Sequence, residues 1–319
     1  MRTNASRGFA TELLKDMMFP ELCPICKDAV PFAKRAALHL AVYTGAASFE
    51  ENKELYYGGT VCRGCLRSLS FITEPCCVKC GKQLKYAGSA DLPAETALKV
   101  RGNDAAGLDY ERTDANGRDR IKINKRNIHE ETNEWEGGVL LCTDCRNTPR
   151  SFIQSRSVLR YDETARELMA DIKYNSKREY LELPAVLAAD RLGDWVRHTG
   201  ARYLVPVPVH ESRLISRGYN QSEVLAELIG GYLGIPVLKN VLRRRVRTEA
   251  QKELDAGDRL LNLQTAFEPA MRLPDGIKVI IVDDIYTTGA TLEACSECLI
   301  EAGAEEVYGL CICAGDDEV

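Results

Sequence analysis

The stretch that most limits what this chain can fold into is residues 279–291, Val279-Ile280-Ile281-Val282-Asp283-Asp284-Ile285-Tyr286-Thr287-Thr288-Gly289-Ala290-Thr291. Four β-branched residues run into two adjacent acids, a hydroxyl-rich turn with a glycine follows, and a helical pattern then begins. An apolar run of that length predicts a strand buried on both faces, as in a parallel sheet. The turn leads into a helix N-terminus, where backbone N–H groups are unpaired and the helix dipole favours an anion. One strand end thus presents two carboxylates and, a few residues on, a cradle for a phosphate. A sugar phosphate carries the complementary groups, hydroxyls for the acids and a phosphate for the turn.

Strands and helical patterns alternate around this stretch. Strands are expected over 157–161, 203–207, 235–238, 278–283 and 306–313. Helices are expected over 162–172, 181–197, 222–233 and 291–302. Such alternation implies an α/β fold with a mostly parallel sheet flanked by helices, and ligands of these sheets bind at the C-terminal strand ends. Two other segments fall near such ends. In the first, a strand stops at Pro206 and Pro208, and a loop carrying His210, Arg213 and Arg217 leads to a helix. The second begins at Leu242, carries Arg243, Arg244, Arg245 and Arg247, and continues past Gln251 to Arg259 and Asn262. It is long for a connection and reads as a lid. Guanidinium groups present paired donors that suit phosphate oxygens.

The first half has another texture. Cysteine pairs with two-residue gaps occur at Cys23/Cys26, Cys62/Cys65, Cys77/Cys80 and Cys142/Cys145. Each gap lets a tight turn aim two thiolates at one tetrahedral ion, and eight thiolates suit two Zn2+ sites. Four thiolates close the coordination shell, so both sites read as structural. Sequential pairing, Cys23, Cys26, Cys62 and Cys65 in one site and Cys77, Cys80, Cys142 and Cys145 in the other, needs no long-range crossing and is favoured. An interleaved pairing stays open, as does Cys76 in place of Cys77. Cys295, Cys298, Cys311 and Cys313 fall on a helix and a strand and read as small core residues.

The boundary between the halves is placed near residue 150, giving a zinc-ribbon domain over 1–150 and an α/β domain over 151–319. Residues 32–42, with His39, read as a helix. Residues 83–138 form a long polar insertion. Its basic cluster, Arg118, Arg120, Lys122, Lys125 and Arg126, reads as a solvated loop, with a nucleic-acid contact as the sharper alternative. The net charge of −5 argues against a uniformly basic nucleic-acid binder. No apolar run approaches the ~18 residues of a membrane helix, and no signal peptide is read at the N-terminus. A cytoplasmic protein is expected, and thirteen cysteines there point to metal rather than disulfides.

Residues 279–291 resemble the 5-phosphoribosyl-diphosphate (PRPP) signature of type I phosphoribosyltransferases. The chain as a whole resembles the ComF family. The motifs that carry this likeness are the cysteine knuckles, Ile172-Lys173-Tyr174, Val205-Pro206-Val207-Pro208, Arg213 through Arg217-Gly218-Tyr219-Asn220-Gln221, and Arg244-x-x-x-Thr248-x-x-Gln251, together with Arg259-x-x-Asn262 and the acid-and-threonine stretch. The resemblance implies a type I phosphoribosyltransferase-like sheet with an N-terminal double zinc ribbon, and a link to competence and uptake of transforming DNA. The 83–138 insertion is longer than the family usually carries. By resemblance, Asp283 and Asp284 bind the ribose hydroxyls and help place Mg2+, and Thr287, Thr288, Gly289, Ala290 and Thr291 hold the 5-phosphate. His210, Arg213 and Arg217 then face pyrophosphate, and the segment from Arg244 closes over it. The acceptor is unnamed by any residue. Three readings follow: a phosphoribosyltransferase, a module on the same fold that binds single-stranded DNA or a DNA-uptake partner, and a PRPP-sensing regulator.

Overall fold

The computed structural model describes residues 21–30, 49–50, 53–84, 141–244 and 266–316, and the backbone alone of 98–99 and 138–139. The expected helix at 32–42 with His39, the basic cluster at 118–126 and the segment 245–265 lie outside the described residues.

The first elements are α1 (Lys53–Thr60), α2 (Arg63–Ser68), the short antiparallel pair β1 (Leu98–Lys99) and β2 (Gly138–Val139), and α3 (Thr143–Asn147). They are followed by β3 (Gln154–Arg160), α4 (Glu163–Tyr174), a 3-10 turn (Arg178–Leu181), α5 (Glu182–Thr199), β4 (Tyr203–Pro206), α6 (Glu211–Arg217) and α7 (Gln221–Leu233). The last are β5 (Leu242–Arg244), β6 (Phe267–Pro269), β7 (Ile277–Tyr286), α8 (Ala290–Glu301) and β8 (Ala304–Ala314). Strands β3, β8, β7 and β4 form one sheet in that order, every pair parallel.

β7 lies inside the sheet because Val279, Ile280, Ile281 and Val282 give it two apolar faces, and all four are fully buried. Ile280 and Val282 enter one core with α4, α5 and α7. Val279 and Ile281 enter a second core, on the other face, with α8. Local signals set the helix ends. The Asp162 carboxylate accepts from the Ala165 N–H at 3.0 Å and starts α4. Asn220 caps α7 in the same way, accepting from Ser222 N–H at 3.1 Å.

Two segments differ from the sequence reading. Residues 235–238, expected as a strand, make a single parallel bridge between Leu204 and Val237. Leu204 N–H donates to the Pro236 carbonyl and Leu238 N–H to the Leu204 carbonyl, but Pro236 has no N–H with which to extend a ladder. The expected loop over 211–217 is helix α6, capped by the His210 ring nitrogen accepting from Ser212 N–H and ended by Gly218 at φ +80°. It buries no residue, so it lacks the periodic apolar pattern by which a helix is read from sequence.

The cysteine-bearing half is joined to the sheet. Phe71 bridges Leu159 in antiparallel fashion. Ile72 N–H donates to Val158 O at 2.9 Å, Arg160 N–H to Ser70 O at 2.8 Å and Ser155 N–H to Lys79 O at 2.8 Å. The outer edge of β3 is therefore covered rather than bare. Cys23, Val30, Val61 and Leu69 belong to the first core, and Cys77, Cys80 and Cys142 to the second. Cys295, Cys298, Cys311 and Cys313 are buried. No helix among the described residues is long and apolar enough to cross a membrane.

Candidate active site and tetrathiolate centres

β7 delivers both acids to the C-terminal edge of the sheet, where they have different surroundings. Asp284 is 5% exposed. Its Oδ2 pairs with Lys173 Nζ at 2.8 Å and accepts from Gln221 Nε2 at 3.1 Å. Asp283 Oδ1 accepts from Ser222 Oγ at 3.0 Å and from the Asp284 N–H at 2.9 Å. Burial, reinforced by the neighbouring Asp284 charge, lifts the Asp283 carboxyl from the ordinary 3.8 to about 7. Asp283 also lines a shallow cavity with Thr287, Gly289, Ala290 and Thr291.

That cavity is closed by the β7–α8 turn. Gly289 takes φ +79° and precedes α8 without a side chain of its own to cap it, and the Thr288 hydroxyl reaches that end, accepting from the Ala290 N–H at 3.4 Å. A methyl group on Gly289 would sit 2.2 Å from the Tyr286 hydroxyl, so only glycine fits the turn. Thr287 and Thr288 are exposed. The arrangement offers an open helix N-terminus to an anion and a carboxyl pair to hydroxyls or a cation.

The expected arginines are placed less uniformly. Arg217 Nη1 donates to Gln221 Oε1 at 3.0 Å, which joins it to Asp284 through one side chain, and its guanidinium lies 5.6 Å from the Tyr174 ring. Arg213 lies four residues earlier on α6, on the same face. Arg244 stacks on Phe267 at 5.4 Å in the β5–β6 ribbon. His210 is engaged with Ser212, at 2.8 Å from its hydroxyl.

Several residues of this network carried no assigned role in the sequence reading. Lys173, Gln221 and Ser222 hold the acids. Tyr219 donates its hydroxyl to Ile172 O, and Asn220 Nδ2 donates to Val207 O at 3.0 Å. The Gly218-Tyr219-Asn220-Gln221-Ser222 run is thus a bracket that ties the end of α4 and the end of β4 to the acid pair. Its motif was visible, but its partners lie far away in sequence.

The eight cysteines of the four knuckles gather into two groups, Cys23, Cys26, Cys62 and Cys65, and Cys77, Cys80, Cys142 and Cys145, each with sulfurs within 4.8 Å of one another. Cys26 and Cys62 sulfurs are 3.8 Å apart, and those of Cys80 and Cys142 3.5 Å. A tetrahedral Zn2+ with Zn–S bonds of about 2.3 Å has sulfurs about 3.8 Å apart, so both groups fit that ion. Cys62 and Cys142 also cap α2 and α3, accepting from the N–H of Cys65 and Cys145. Cys76 stands outside both groups beside Glu74, its thiol pushed up to about 12 by burial.

Comparison with known proteins agrees with this architecture. A family model described as a phosphoribosyl transferase domain matches residues 216–318, and one described as a double zinc ribbon domain matches 52–95. Competence protein F of Haemophilus influenzae is 40% identical over 111 residues, which are 34% of this chain and 48% of that protein, so the match spans about half of that relative. Competence protein ComFC of Bacillus subtilis is 29% identical over 171 residues, 51% of this chain and 67% of that protein. The DNA utilization protein YhgH of Salmonella typhimurium is 30% identical over 178 residues, 54% of this chain and 78% of that protein. With these relatives, a parallel sheet of the phosphoribosyltransferase type and two tetrathiolate groups, the chain belongs to the ComF family.

Proposed function

We propose that the chain binds PRPP together with Mg2+ at the β7–α8 turn and transfers the phosphoribosyl group to an acceptor. The observation that carries this reading is the juxtaposition of the Asp283–Asp284 pair with the glycine-entered N-terminus of α8. Thr287, Thr288, Gly289, Ala290 and Thr291 hold the 5-phosphate through hydroxyl and backbone N–H groups. Asp283, the carboxyl that lines the cavity, accepts from the ribose hydroxyls. Asp284 is engaged by Lys173 and Gln221, and it sets the charge and orientation of Asp283. Arg213 and Arg217 face the pyrophosphate, and Arg244 adds a third guanidinium.

In the transfer, the bond between the ribose anomeric carbon and pyrophosphate breaks, leaving positive charge on the sugar and negative charge on the leaving group. Bound Mg2+ supplies charge neutralisation of the pyrophosphate. The chain's own residues fix the sugar and stabilise the departing anion with guanidinium donors. The eight cysteines of the two groups hold two structural Zn2+ ions. The division into a zinc-ribbon part over 1–150 and a phosphoribosyltransferase-like part over 151–319 belongs to the same proposal, as does a cytoplasmic location. The names of the relatives, competence and DNA utilization, support a role alongside DNA-uptake proteins.

Calorimetry with PRPP and Mg2+ on the wild type and on Asp283→Asn with Asp284→Asn tests the site. Loss of binding with retained zinc and circular dichroism supports it, and unchanged affinity rejects it. A PRPP-dependent pyrophosphate-release screen over bases, ammonia and single-stranded DNA then separates transfer from a PRPP-sensing regulator, which binds without turnover. It also separates both from a single-stranded-DNA module, whose affinity falls with salt.

A further inference from the structure

The second tetrathiolate group lies directly behind the β7–α8 turn. The chain leaving Cys145 reaches Arg150, whose Nη2 donates to the Thr288 carbonyl at 2.7 Å. The next residue, Ser151, donates its N–H to Glu293 Oε1 in the first turn of α8 at 2.7 Å. On the other knuckle, Lys82 follows Cys80-Gly81. It pairs with Asp144 at 2.7 Å and lies 5.9 Å from the ring of Tyr286. Tyr286 is 2% exposed and its hydroxyl fills the space beside Gly289. The Arg150 guanidinium interacts with the Tyr286 hydroxyl, the Cys145 sulfur and the Glu293 carboxylate. Its Nε, the Tyr286 hydroxyl and Glu293 Oε2 are all buried without a hydrogen-bond partner. Three such atoms at one seam are costly, and the seam holds through the few charged contacts just named.

The direction of the Arg150 bond matters. In a trans peptide the C=O and the N–H point opposite ways. Holding the Thr288 carbonyl therefore turns the Gly289 N–H away from Arg150, at a residue that lines the cavity with Asp283 and Thr291. Glycine imposes no steric bar to a flip of that peptide, so the guanidinium, rather than the turn's own sterics, fixes its orientation.

We propose that Arg150 is a positioning residue that couples the Cys77–Cys80–Cys142–Cys145 group to the β7–α8 turn, so that the turn's order depends on an intact tetrathiolate behind it. The consequence for anion affinity rests on the phosphate reading of the turn given above, whereas the coupling itself does not.

The test uses the full zinc-loaded chain with Arg150→Met and Arg150→Lys, and Arg197→Met as a control at an exposed ion pair on α5. Three readouts are taken: zinc content, hydrogen exchange of the amides of Ala290 to Glu293, and calorimetric binding of ribose 5-phosphate. Losing a charge-assisted hydrogen bond is expected to speed exchange at the Glu293 amide, which donates to the Gly289 carbonyl, about tenfold and to weaken ribose 5-phosphate about tenfold, with zinc retained. Lysine, a single-point donor, restores part of both effects, and Arg197→Met changes neither. Wild-type exchange rates in Arg150→Met overturn the proposal. If Arg150→Met does not fold, Arg150→Lys decides: exchange faster than wild type supports the coupling, and exchange equal to wild type overturns it. A wild-type chain that ignores ribose 5-phosphate refutes the phosphate reading alone, because the exchange comparison still decides the coupling.

Discussion

Replacing Lys173 with methionine isolates the interaction that holds the acid pair. Lys173 and Asp284 are 18% and 8% exposed at their side chains and stand 2.8 Å apart. Removing one partner of a buried ion pair costs about 3–5 kcal/mol, because the other charge is left uncompensated. The contact is not fully dry, and Gln221 still donates to Asp284 at 3.1 Å. The expected loss at pH 8 is therefore about 2–3 kcal/mol. Urea unfolding of both proteins in zinc-containing buffer at pH 8 measures it. A cycle with Asp284→Asn should return a coupling of about 2 kcal/mol. A deficit below about 0.5 kcal/mol at pH 8, the ordinary size for a surface pair, would refute the reasoning.

Two further outcomes are expected. Asp283 has a folded pKa of about 7 against an ordinary 3.8, so its contribution is intact below pH 4 and is lost as pH rises to 7. Asp283→Asn should raise stability at pH 8 by something on the order of 2–4 kcal/mol while abolishing PRPP binding, as read by urea midpoint and calorimetry on the same sample. Gly289→Ala places a methyl 2.2 Å from the Tyr286 hydroxyl at φ +79°. It should cost about 1–3 kcal/mol and remove ribose 5-phosphate binding, and a variant that melts and binds like wild type would contradict the geometry of the turn.

What could be read from the residues was what local physics writes into them. β7 announces itself because burial on both faces demands an unbroken β-branched run, and α4 because Asp162 caps it. The two cysteine groups follow from the two-residue gaps, and the sequential pairing is the one the structure brings together. Helix α6 was unreadable because it is exposed, and periodicity records burial rather than helicity. The Lys173–Asp284 pair, the Ser222–Asp283 bond and the Arg150–Thr288 bond were unreadable for another reason. Each joins residues 61 to 138 positions apart, and no spacing rule reaches that far. The covered edge of β3 belongs to the same class, since nothing in Phe71 or Leu159 names the other.

The two tetrathiolate groups sit on opposite faces of one sheet, and each leans on a different half of the candidate site. The first shares a core with Ile280, Val282 and the helices α4, α5 and α7. Lys27, which follows Cys26, pairs with Asp171 on α4, two residues before the lysine that holds Asp284. The second shares a core with Val279, Ile281 and α8, and reaches the turn through Arg150. Strand alternation is what makes this division work: residues facing one way feel one group, and residues facing the other way feel the second. A purely structural role for the cysteine centres would ask only that they staple their own loops. Here the staples end on α4 and on the β7–α8 turn, the elements that orient the acids and aim the backbone N–H groups. Rigid support of that kind is what the proposed phosphate cradle, entered through a single glycine, requires, and it accounts for a cysteine-bearing segment built into both cores rather than tethered beside them.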